Sequence, residues 1–231
     1  MKKSYIKILI YNIILMSLFL LDARFNFLTL WYKAIIVFLS LFIFKYLLGF
    51  EKGNHRYVKE ISINLTIVFL VFIIVLYFLG IPLGFVKNVV SLKQIVVFII
   101  PTVIIFILRE ILRYQIVTKS GTSKVALLTT FMMFFLLEIT SNVNFTSLIN
   151  NYKIFIFCVT VVIPAFVNNV VSMYIARNMG YKLNIIWQIP FYLYSLVLPI
   201  VPDVGIYIQS LIGSLYPVVI GFIVYDFLLK N

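Results

Sequence analysis

Residues Gln94 to Lys124 read QIVVFIIPTVIIFILREILRYQIVTKSGTSK. From Ile95 to Leu108 this stretch carries no charge, and with its continuation to Val117 it is long enough to cross a bilayer, which takes about 20 mostly apolar residues. Arg109, Glu110 and Arg113 arrive before the hydrophobicity ends, and Thr118–Lys124 then makes a basic, turn-forming segment. This is the pattern of a membrane helix with a charged cluster at one end.

The composition extends that reading to the whole chain. Of 231 residues 64% are hydrophobic and only 11% charged, and the mean hydropathy is +1.14. A soluble domain is roughly half apolar and about a quarter charged. The apolar residues fall in long blocks with short polar breaks, so residues 1–231 form a single integral membrane domain, with no loop large enough for a soluble one. The net charge of +12 is spread between blocks rather than gathered on one face. Membrane orientation explains it better than nucleic-acid binding does.

Eight spans are expected, in an all-α transmembrane bundle. The first, Ile8–Leu21, follows MKKSYIK; no small-residue cleavage site comes after it, so it reads as an uncleaved helix. The others are Ala34–Phe50, Ile61–Ile81, Ile95–Val117, Val125–Thr140, Ile154–Ile175, Ile185–Val201 and Ile206–Leu229. Gly80-Ile-Pro-Leu-Gly84 reads as turn punctuation after the third span, and Pro202-Asp-Val-Gly205 as a turn before the last. Ile185–Val201 is short and holds Gln188 and Pro190; were it re-entrant, seven spans would remain. In the last span Gly213, Pro217 and Gly221 recur every four residues beside Ser210 and Ser214, a small-residue face suited to close helix packing. No internal repeat is visible, so the usual sequence signature of a secondary transporter is missing.

With both termini cytoplasmic, fourteen of the nineteen Lys and Arg residues fall inside and five outside, Arg24, Lys33, Lys87, Lys93 and Lys153. That bias follows the positive-inside rule.

The polar residues within spans are the candidate functional residues. Arg109, Glu110 and Arg113 share one helix flank. Near the inner headgroups Arg109 would snorkel, which makes the cluster either an interfacial anchor or a contact for a partner helix or lipid phosphate. Arg177 is expected at the same level, completing one basic rim. Glu138 either ends a frayed helix in outer water or pairs inside the bundle. Asn168 and Asn169 suit hydrogen bonds between helices, and Gln188 is a further intramembrane polar candidate.

Catalytic and metal chemistry find little foothold. His55 and Cys158 are single and lie on different segments, against a zinc site. A serine nucleophile needs a base within reach. No motif around Ser91, Ser141 or Ser147 supplies one, and GxSxG, HExxH and P-loop patterns are missing. The chain reads as non-catalytic, with no cofactor.

Two stretches carry a resemblance: Ile107-Leu-Arg-Glu-Ile-Leu-Arg-Tyr114, and Asn168 to Tyr207 with Tyr174-Ile-Ala-Arg-Asn-Met-Gly-Tyr-Lys182 and Leu198-Pro-Ile-Val-Pro-Asp-Val-Gly205. They resemble the N-terminal multispanning region of long bacterial signal peptidase I-like proteins, in which a membrane bundle precedes a peptidase domain. The sequence stops at Asn231, where that family continues into its serine-bearing domain, so no catalytic residue carries over. The resemblance implies a bacterial cell-membrane scaffold or accessory region tied to protein export or processing, whose partner would be a peptidase or export-machinery subunit. The alternative reading is a small-molecule transporter or substrate-binding membrane subunit. A scaffold should keep its polar groups at the edges of a dry bundle. A transporter should show a cavity near mid-membrane lined by Glu138, Asn168 or Gln188.

Overall fold

A computed structural model describes residues 2–25, 28–52, 57–142 and 150–230. Among these residues are eight long helices: α1 (Lys2–Phe25), α2 (Leu30–Leu48), α3 (Val58–Leu83), α4 (Leu92–Ser120), α5 (Lys124–Asn142), α6 (Asn151–Met179), α7 (Tyr181–Val197) and α8 (Gly205–Lys230). Six of them, α1, α2, α3, α4, α6 and α8, are long and apolar enough to cross a membrane. The fold is thus an all-α bundle of the multi-pass membrane kind. Its outer faces carry exposed large hydrophobics such as Ile14, Phe42, Ile67, Ile74 and Phe222, a surface that suits a lipid surround.

Local chemistry fixes the helix ends. The Thr29 hydroxyl accepts from Tyr32 N to cap α2, the Asn150 side chain does the same for α6, and Ser91 with Gln94 forms a reciprocal capping box at the start of α4. Ser91 therefore serves as a cap. A single residue, Gly180, separates α6 from α7; its φ of 88° is open to glycine at no steric cost. In α4 a π-helical turn (Ile95–Ile99) precedes Pro101, and in α6 another (Cys158–Val162) precedes Pro164. Proline lacks an N–H and crowds the preceding turn; a π-turn is one way to absorb that.

The helices pack in two halves around α4 and α6, which touch each other. On one side α1 lies on α5 and α2 on α4; on the other α3 lies on α7 and α8 on α6. Each half has its own apolar core. Ile8, Phe19, Phe44, Ile116 and Phe134 belong to the first, and Ile61, Ile175, Leu183, Trp187 and Ile220 to the second. The small-residue face of α8 packs as its spacing suggests, with a Cβ on Gly221 meeting Val171 at 3.3 Å and one on Gly213 meeting Pro164 at 3.6 Å.

The two ends of the bundle differ. At one, Lys7 reaches the Leu47 carbonyl, Lys119 pairs with Glu51, Tyr114 donates to the Lys52 carbonyl, and the rings of Tyr114 and Tyr181 meet. At the other is a feature outside the all-α expectation. Two three-residue strands, β1 (Phe85–Lys87) and β2 (Ile200–Pro202), pair antiparallel with Val86 opposite Val201. The turn expected at Gly80–Gly84 is corrected: α3 continues through Gly80 and Pro82 to Leu83. Gly80 is required by close approach, since a Cβ there would lie 2.6 Å from the Phe85 ring and 2.9 Å from Pro202. Pro202 likewise ends a strand rather than opening a turn. Asn88, just past β1, donates to the Ser195, Leu196 and Leu198 carbonyls and so closes the end of α7. Thus α7 runs from the basic end, beside Tyr114, to the ribbon end, and it does not turn back.

Candidate functional site

Where the two halves meet, α4, α5, α6 and α7 bring polar side chains together out of apolar sequence. Spacing sets each stripe. Arg109 and Arg113 are one turn apart on α4, Asn168 and Ser172 one turn apart on α6, and Asn184, Gln188 and Tyr192 follow at four-residue intervals on α7. Glu138 comes from α5. On a helix rising about 1.5 Å per residue, Glu138 lies about 20 Å from the basic end and Arg113 about 10 Å. The stripes therefore lie near mid-height of the bundle and in the layer next to it on the basic side.

The expected rim position of Arg109, Glu110 and Arg113 is corrected. Arg109 is 4% exposed, and Glu110 and Arg113 are fully buried. Glu110 accepts from Arg109 Nε (3.2 Å), from Arg113 Nη1 (2.9 Å) and from Asn184 Nδ2 (2.9 Å). The second Arg113 nitrogen, Nη2, donates to Asn169 Oδ1 at 2.8 Å, and Arg109 Nη2 donates to Gln188 Oε1 at 2.9 Å. Each guanidinium also stacks over a ring, Arg109 on Phe106 and Arg113 on Phe134. Arg177 alone of the four is exposed, near the C-terminal end of α6.

Glu138 forms the second focus. It is 6% exposed, which excludes the frayed-end reading. Its carboxylate accepts from Asn168 (2.7 Å), Asn169 (2.8 Å) and the Tyr192 hydroxyl (2.8 Å), with Arg109 Nη1 at 3.8 Å. Ser172 joins the foci, accepting from Gln188 Nε2 at 2.5 Å through its hydroxyl and from Asn184 Nδ2 at 2.8 Å through its carbonyl. Two arginines and two glutamates thus cancel in charge and are tied by amides. Leaving a buried charge unpaired costs several kcal/mol, and this arrangement pairs all four. Arg113 Nε is left without a hydrogen-bond partner.

One side of this centre is open. Glu138 and Tyr192 line a cavity of about 370 Å³ between α5, α6, α7 and α8, with Thr160, Ser195, Gln209 and Ser210 on its walls. Toward the ribbon end it adjoins a second chamber of about 350 Å³ that shares Tyr194, Ser195, Ile206 and Gln209 with it and reaches Lys87 and Asp203. Among the described residues no three His, Cys, Asp or Glu side chains group to hold a metal ion. His55 and Ser147 lie outside the described residues, as does the side chain of Ser141.

The sequence reading named Arg109, Glu110, Arg113, Glu138, Asn168, Asn169 and Gln188, and the fold brings all seven together. It missed Asn184, Ser172 and Tyr192 as partners. The four-residue polar stripe on α7 was the available signal, because a polar row inside an apolar helix must face protein. Comparison with protein-family models, with curated proteins and with solved structures finds no match for this chain.

Proposed function

We propose that this chain is a ligand- or substrate-binding membrane subunit, non-catalytic in itself, whose site is the cavity that ends at Glu138. The observation that carries the reading is a carboxylate at the wall of a cavity of about 370 Å³ deep inside an otherwise apolar bundle. Intramembrane ionisable groups are costly and mark substrate or ion pathways. In this proposal all eight helices cross a bacterial plasma membrane, both termini are cytoplasmic and the ribbon end faces outward.

The test is cysteine accessibility in a Cys158→Ala background. Thr160→Cys and Gln209→Cys should react with a membrane-impermeant thiol reagent applied from the ribbon side. A Thr160→Cys that stays unlabelled while Gln209→Cys reacts would mean a dry interior and remove the proposal.

One observation favours a second reading. The four charges close on each other with no net charge, as a packing clamp would. This suits a scaffold resembling the membrane region of signal peptidase I-like proteins, with the bilayer and a peptidase or export-machinery subunit as partners. Co-purification of such a subunit from membranes, together with an unlabelled Thr160→Cys, would favour it.

A further inference from the structure

Resting on the ligand-binding reading, we infer that the inner chamber takes the head of a small organic ammonium ion, such as a primary amine, with its apolar tail against the chamber wall. The charge pattern comes first. Among the described residues Glu138 is the only acid lining the chamber, and no Lys, Arg or His lines it. Asn168, Asn169 and Tyr192 fix the carboxylate, and the Arg109 behind it is shared with Glu110 and Gln188. Arg109, 3.8 Å from the carboxylate, does not line the chamber, so a charged head inside it meets the acid and no basic side chain among the described lining residues.

The remaining polar wall is rich in acceptors. Ser210 already donates its proton to the Ile206 carbonyl, so it meets a newcomer as an acceptor. Thr160 brings its hydroxyl to the wall from the π-turn that precedes Pro164. Gln209 can present its amide oxygen. An ammonium head offers three donors to such a set, whereas an alcohol offers one. Phe191, Tyr192 and Tyr194 make part of the lining aromatic, a surface type that attracts a cation, and Val161 and Ile212 give an apolar surface for the tail. The volume lies at the small end of the range for ligand pockets, about 300–1,000 Å³, which suits a compact amine.

The experiment uses the full chain in nanodiscs of zwitterionic lipid, with calorimetry on three matched probes: butylammonium, butanol and butyrate. Butylammonium should bind roughly tenfold or more tightly than butanol, and butyrate more weakly than either. Ile206→Trp, at the mouth shared by the two chambers, should weaken butylammonium roughly tenfold without lowering the unfolding midpoint. Glu138→Gln should weaken it as well but with a lower unfolding midpoint, because Arg109 loses a charge partner, and Thr160→Val, which removes a lining hydroxyl, gives a second variant that leaves the charge centre alone. Equal binding of butanol, or tighter binding of butyrate, would overturn the amine assignment while leaving the cavity as a binding site. Failure of all three probes would overturn it too, and with an unlabelled Thr160→Cys would also overturn the functional proposal.

Discussion

Arg113 and Arg177 look alike in the sequence. Each is a base near the C-terminal end of an apolar helix, at the same end of the bundle, and together they read as one basic rim. The fold separates them. Arg113 is fully buried, held by Glu110 and Asn169, while Arg177 is exposed. The difference is depth. Arg113 lies seven residues before the end of α4, about 10 Å, and Arg177 two residues before the end of α6. At one turn of helix a side chain reaches the headgroups; at two turns it must find a partner inside. A base in a membrane helix is therefore read first by its distance from the helix end.

The sharpest way to break that contrast is to remove the acid between the buried bases. Glu110→Ala strips Arg109, Arg113 and Asn184 of a shared acceptor. It should cost about 3–5 kcal/mol or leave the chain too unstable to accumulate, as followed by size-exclusion chromatography and thermal unfolding. Normal accumulation would mean the centre is hydrated and the burial wrong. A smaller loss, about 1–3 kcal/mol, is expected for Glu138→Leu, which leaves Asn168, Asn169 and Tyr192 without their acceptor. Asn184→Leu should cost less again, on the order of 1 kcal/mol, the scale of interhelical hydrogen bonds in membranes. At the bottom of the series, Arg177→Ala should leave the unfolding midpoint unchanged and reduce only salt-sensitive association with anionic lipid.

Much of the fold was legible because a span is a local property. Six of the eight helices announce themselves as apolar runs long enough to cross a membrane, and Pro101 and Pro164 mark where α4 and α6 depart from regular geometry. The ribbon was not legible, since Phe85–Lys87 and Ile200–Pro202 are distant in sequence, have only three residues each and include a proline that strands rarely hold. The extent of α3 was also hidden. Gly80 and Pro82 look like a turn until Phe85 is seen folding back on the glycine. For the site, the sequence supplied the residues but not their depth or partners, because partners on four helices share no local pattern. The grouping of the helices was equally invisible, for α3 belongs with α6, α7 and α8, out of chain order.

The central claim, that Arg113 and Glu110 form a buried pair which Arg177 does not share, is tested most directly by two double-mutant cycles measured by unfolding in the same lipid. The Glu110→Ala/Arg113→Ala cycle should show a coupling of about 2 kcal/mol or more, near the top of the range for contacting residues. The Glu110→Ala/Arg177→Ala cycle should be additive. Additivity in the first cycle, or equal coupling in both, would contradict the account and return both arginines to one exposed rim.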